Sequence, residues 1–215
     1  MTLITENNNV KYGKNVKQGI NIKYGKNIVI GNNVEIGNNV VIGDNVEILD
    51  NSIIQNNVKI SNFSFIHKNV VIGDNAIIQE DVFISKNTKI YSNVKICEKT
   101  FIGMYVIVGQ NTIIGRYNEI KQGVNVGQNV NTGDWTYILN NCLVRDNVKI
   151  GNKVLIYKNV ILGNYTTIED NVSIEDNVTI TDNCIIKENS TIPKNSFINQ
   201  NVKFIDNVNI TKNGK

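Results

Sequence analysis

Every sixth residue from Ile30 to Ile210 is apolar except Thr132, and most are Ile. The column runs Ile36, Ile42, Ile48, Ile54, Ile60 and onward without insertion or deletion. Two places before each stands Val or a small residue (Val40, Val46, Ser52, Val58, Ser64), and three places after most stands Asn (Asn33, Asn39, Asn45, Asn51). Within a hexad, Val-x-Ile alternates in, out, in, the two-residue period of a strand. Asn follows where the chain has to turn, and Asn and Gly best tolerate left-handed backbone geometry. Short strand, corner, short strand, corner is the pattern of a parallel β-helix.

Three hexads close one triangular coil, so residues eighteen apart stack at about 4.8 Å. The expectation is an all-β chain: a polar lead-in over residues 1–9, one β-helix domain over 10–211, and a tail over 212–215. About eleven coils make a prism roughly 50 Å long, with no inserted loops and no C-terminal helical domain. Its core is a stack of Ile ladders, each side chain contributing about 1.5–3 kcal/mol when buried.

Composition narrows the function. The net charge is +3 and the basic residues are mostly scattered Lys, with Arg116 and Arg145 the only Arg. A nucleic-acid surface concentrates its cations in a stripe. No apolar run approaches the roughly 18 residues that a membrane span needs, and Met1-Thr2-Leu3-Ile4-Thr5 lacks the pattern of a signal peptide. Cys97, Cys142 and Cys184 have no metal-ligand spacing; free thiols fit a reducing, cytoplasmic setting. A single histidine, His67, cannot build a three-His zinc centre. The ordered Ile column separates this Asn-rich chain from disordered ones.

The words Ile42-Gly43-Asp44-Asn45-Val46 and Ile72-Gly73-Asp74-Asn75-Ala76 resemble the repeat of the hexapeptide-repeat acyltransferases, and the resemblance covers nearly the whole chain, from about Val10 to Ile210. It implies a left-handed helix, which periodicity alone does not give. It also implies a homotrimer about an axis parallel to the prism, with acyl-CoA, acetyl-CoA above all, meeting its acceptor between subunits. The acceptor so implied is an amino or hydroxyl group, most plausibly of a nucleotide-linked sugar.

The repeat breaks in register. At one corner Asn gives way to Phe63, Asp81, Lys99, Tyr117, Trp135 and Lys153, each eighteen from the next; Tyr105, Gly123 and Tyr165 are exceptions on the other corners. The outward column beside that corner reads Phe65, Phe83, Phe101, Glu119, Tyr137, Leu155, and the next His67, Ser85, Gly103, Lys121, Leu139, Tyr157. An exposed apolar stripe usually marks an interface. Phe63, Phe65, Phe83, Phe101, Tyr137, Leu155 and Tyr157 are therefore expected at a subunit contact, with a platform for sugar rings and a mere accident of patterning as alternatives.

Acyl transfer needs a base near neutral pH, and imidazole is the usual one. His67 is the first catalytic candidate, against the reading that it is an ordinary corner residue where Gly stands elsewhere. Glu119 is the second: a carboxylate between Phe101 and Tyr137 acts as a base if desolvation raises its pKa, or it simply pairs with Lys121 or Lys99. Asp81 and Lys99 read as a ladder pair. Trp135 and Tyr117, with Tyr105 near by, suit stacking on a nucleotide base or sugar. The competing reading is a non-catalytic β-helix that docks through its aromatic face, because gapless hexads leave no room for the loops that usually carry function.

Overall fold

The computed structural model describes residues 9–203. Most of the lead-in, the last hexads, the tail and the question of a C-terminal helical domain lie outside those residues. The described chain contains strands and turns only. The strands form three parallel sheets of 11, 11 and 10 strands, each pairing every third strand of the sequence, as in Val10–Tyr12, Ile28–Ile30, Glu47–Ile48 and Phe65–Ile66. Residues eighteen apart are direct partners: Phe65 with Phe83, Phe83 with Phe101, Phe101 with Glu119, Glu119 with Tyr137 and Tyr137 with Leu155. This is a three-sided β-solenoid.

The corners explain why the repeat tolerates no slip. Every sixth residue from Asn9 to Asn201 has positive φ, and most of these residues are Asn. Asn tolerates that conformation, and its side chain gains a partner there. The amide of Asn57 donates to Asn75, Asn75 to Asn93 and Asn93 to Asn111, at 3.0–3.1 Å. A one-residue deletion would put Val34, Val40 or Val46 at such a corner, where the left-handed conformation costs about 1–2 kcal/mol.

The Ile and Val columns are buried throughout, forming one continuous core along the prism. Polar residues in the small-residue column are satisfied by carbonyls fifteen residues on: Thr88 Oγ1 donates to Gly103 O at 2.8 Å and Thr100 Oγ1 to Gly115 O at 2.9 Å. Thr132, the lone polar member of the Ile column, has a partner that the repeat does not announce. Asn118, buried in the small column, donates from Nδ2 to Thr132 Oγ1 (2.7 Å) and Gly133 O (2.9 Å), and its Oδ1 accepts the Thr136 N–H at 2.7 Å. No helix of the described residues is long and apolar enough to cross a membrane.

Candidate active site

The first sheet, which carries the aromatic row, is the face on which the repeat is broken. Phe65 and Phe83 stack with ring centroids 5.0 Å apart, and Phe83 and Phe101 follow at 5.4 Å. Below them the row passes to Glu119, ion-paired with Lys121, whose Nζ lies 5.1 Å from the centre of the Phe101 ring. Glu119 is therefore not the desolvated carboxylate that its position between aromatic residues implies. Its side chain is 40% exposed and paired with a cation on its own strand end.

Beside the phenylalanine row runs the column His67, Ser85, Gly103, Lys121. Two long side chains bracket two short ones, which leaves a notch two coils tall, about 10 Å. The resulting cavity measures about 610 Å³, within the range of small-ligand sites, and is lined by Phe83, Phe101 and Met104 with Lys68, Lys86 and Lys121 around them. His67 lines the same cavity. Ser85 is 6% exposed and its hydroxyl makes no hydrogen bond among the described residues. A Cβ at Gly103 would stand 2.8 Å from the backbone of Lys121 and Gln122, so only glycine keeps this coil at its spacing. No carboxylate lines the cavity, which makes it an apolar recess with a cationic rim.

His67 meets Phe65 edge-on, with ring centroids 5.9 Å apart. The backbone N–H of Lys68 donates to His67 Nδ1 at 2.7 Å. The neutral ring accordingly carries its proton on Nε2, the atom farther from the backbone, and presents a donor. Acting as a base through Nε2 would require the ring to give up the Lys68 bond. Ser85, Gly103, Lys86 and Met104 were not singled out from the sequence. The large-small-small-large order of the column was visible there, but a short side chain signals nothing until its neighbours are known to be long.

A second cluster occupies the opposite border of the same sheet. Tyr117 and Trp135 stack at 4.3 Å with an interplanar angle of 3°. Lys99 Nζ lies 5.5 Å from the Tyr117 ring centre. Asp81 makes no ion pair among the described residues, so the expected Asp81–Lys99 ladder is replaced by a cation–aromatic contact. Tyr105 does not join this cluster: it stands at the corner beyond Met104, across the sheet, and is 55% exposed. Next to the stack, Asp134 accepts the Arg116 backbone N–H at 2.8 Å and Arg116 Nε at 3.0 Å. Those bonds hold the Asp134 carboxyl below its ordinary value, the backbone N–H contributing most. Trp135, Tyr117, Lys99 and Phe63 all hold positive φ, which is strained for bulky residues and a pointer to function. Asn118 and Thr136, which directly follow Tyr117 and Trp135, tie that strained corner to the core. Phe63, Phe65, Phe83, Phe101, Tyr137, Leu155 and Tyr157 all lie on this face or its border, none of them buried.

Repeats of this kind on a three-sided parallel solenoid define a hexapeptide-repeat protein, and the family profiles agree. The bacterial transferase hexapeptide (six repeats) profile matches residues 27–62 and 159–194. The GMPPB C-terminal domain profile matches residues 48–144. Over the matched residues the chain carries the hexapeptide repeat of the bacterial transferases. No curated protein matches it. Among solved structures it is similar to the UDP-N-acetylglucosamine acyltransferase of Francisella novicida, at 23% identity over 74% of this chain and 58% of that one, TM-score 0.34. It is also similar to the Arabidopsis UDP-N-acetylglucosamine acyltransferase, at 18% identity over 80% and 63%, TM-score 0.34. A third is the UDP-N-acetylglucosamine acyltransferase from Bacteroides fragilis, at 22% over 88% and 66%, TM-score 0.33. The chain spans less than two thirds of the length of each of these enzymes, and likenesses this distant say nothing of substrate.

Proposed function

We propose that the protein is an acyl-CoA-dependent acyltransferase, with acetyl-CoA as donor, acting on an amino or hydroxyl group of a nucleotide-linked sugar as a homotrimer. The observation that carries this reading is the cavity beside His67: the chain's one imidazole and three lysines surround an apolar recess. An acyl-CoA brings a thioester to such a site, together with phosphates and an apolar arm. Lys68 and Lys121 would hold the phosphates as point charges, and Phe83, Phe101 and Met104 would cover the apolar arm. His67 Nε2–H would donate to the carbonyl oxygen as negative charge develops there, the kind of contact that strengthens toward the transition state. Tyr117 and Trp135 supply an aromatic surface for the acceptor's base or sugar. The aromatic face would be covered by the neighbouring subunit.

A non-catalytic scaffold has no use for a notch lined by a half-buried imidazole, so that reading is not favoured. Thermal unfolding in millimolar coenzyme A tests the proposal, because a ligand that binds only the folded state raises its stability. A rise in Tm of several degrees is expected, abolished by Lys68→Ala with Lys121→Ala. An unchanged Tm would remove the donor site.

A further inference from the structure

We infer that, within the ring proposed above, the border bearing Glu80 and Asp81 docks on the cavity of the next subunit, against its Lys86. The inference rests on the homotrimer and adds which edge meets which, and through what charges. Three observations carry it. Of the rim lysines Lys68, Lys86 and Lys121, only Lys121 has an ion-pair partner among the described residues, Glu119. On the far border of the same sheet Glu80 and Asp81 are both exposed and form no ion pair among the described residues. Finally, Lys86 lies on the same rung as Glu80 and Asp81. Lys86 follows Asp81 by five residues in one coil, a rise of about 1 Å along the prism.

In a closed ring whose axis runs along the prism, each copy meets the next head to tail and equal heights face each other. The Glu80–Asp81 edge of one copy then comes to the level of Lys86 and Ser85 of its neighbour. The aromatic residues above and below fall into place on the same border: Phe63 at the rung of His67, Tyr117 at the rung of Lys121. Asp81 occupies a left-handed corner where the other corners mostly use Asn, with φ 58°. Asn there would have been sterically equivalent, so a carboxylate at this position adds charge and not shape. The neighbour's carboxylates then pair with Lys86 at the edge of the cavity, and Lys68, one rung away, is left to the donor's phosphates.

Charge exchange tests this. Lys86→Glu, and separately Glu80→Lys with Asp81→Lys, set like charges against each other across the contact, and each is expected to raise the concentration needed for trimer formation about tenfold or more. The triple variant carrying all three changes restores the complement and is expected to sediment as the native protein does. Thermal unfolding of each variant checks that the coils are intact. If a reversal unfolds the chain, the milder Lys86→Gln and Glu80→Gln with Asp81→Asn are read in the same way. A native trimer that no reversal weakens, or a triple variant no better than the single reversals, overturns this docking and leaves the trimer standing. A native monomer overturns the ring and the docking together.

Discussion

The Lys68 N–H donates to His67 Nδ1 at 2.7 Å, and this one bond decides what the only imidazole of the chain can offer a substrate. With Nδ1 occupied, the distal nitrogen is a donor. Glutamine places an N–H near the position of Nε2 and cannot act as a base. If His67 works as a donor, His67→Gln should keep measurable acyl transfer while His67→Ala loses about 10²–10³ in rate, the range for removing an oxyanion donor. If His67 is instead a base that breaks the Lys68 bond on substrate binding, the two variants will be equally inactive. Initial rates with acetyl-CoA, followed by thiol release, distinguish the cases.

Gly103 should be intolerant of the smallest change. Its N–H donates to Ile120 O at 2.7 Å and its carbonyl accepts from Thr88, so it cannot move away from a clash. An added methyl meets backbone of the next coil at 2.8 Å. Gly103→Ala is expected to cost about 1–3 kcal/mol, as overpacking does, and to erase any stabilisation by coenzyme A. Denaturant unfolding with and without coenzyme A measures both. Ser85→Ala, which removes a hydroxyl without a partner among the described residues, should leave stability within about 0.5 kcal/mol of native.

The row of outward aromatic residues, the eighteen-residue coil and the left-handed corners were all legible in the sequence, because each is a statement about period. Phe65, Phe83 and Phe101 had to share a column once the hexads were known to be gapless. What period could not convey was the direction of side chains within a rung. Glu119 is tied to Lys121, one of the two lysines the sequence offers it, and the column Phe101, Glu119, Tyr137 does not choose between Lys121 and Lys99. Thr132 was visible as the exception in the Ile column, yet its cause is Asn118, fourteen residues earlier and in a different inward column. The notch was hidden because Ser85 and Gly103 are informative only between His67 and Lys121.

Phe63 sits at positive φ directly below the rung of Asn45. The ladder Asn9, Asn27, Asn45 on this corner ends there, its last amide bond running from Asn27 to Asn45 at 3.1 Å. Phe63→Asn relieves backbone strain of about 1 kcal/mol and offers Asn45 an acceptor. The variant is expected to unfold at a higher temperature than the native protein. If Phe63 belongs to the subunit contact, it should also dissociate more readily, the usual trade of function for stability. Calorimetry and sedimentation on one preparation report both effects.

Acid should loosen the corner at Asp134. Its folded pKa is depressed by the Arg116 backbone N–H first and by the Arg116 side chain after it. A depressed carboxylate contributes stability that is complete above the unfolded value, about 3.9, and is lost as pH falls through the folded value. Glu169, lowered chiefly by Lys187, adds to the same window. Asp134→Asn keeps an oxygen for the Arg116 N–H, as Asn152 does for Asp134 at 2.9 Å. The variant's Tm should therefore fall less steeply than native as pH drops below about 4, with similar slopes above pH 5. Identical acid slopes in the two proteins would show that Asp134 contributes nothing there.

The stacked phenylalanines give the most direct test of assembly. Phe83 is 37% exposed and lies between Phe65 and Phe101, so its ring edge forms the middle of an apolar strip. Phe83→Asp with Phe101→Asp places two carboxylates about 4.8 Å apart in rung spacing on that strip. The inward neighbours Ile84 and Ile102 are untouched, so the coils should persist with a modestly lower Tm. A partner face that is apolar would have to desolvate both charges, at several kcal/mol each even after relaxation, far more than a subunit contact can absorb. The double variant is expected to sediment as a monomer where the native chain is a trimer. A double variant that remains trimeric would take this face out of the contact and turn it toward solvent or ligand.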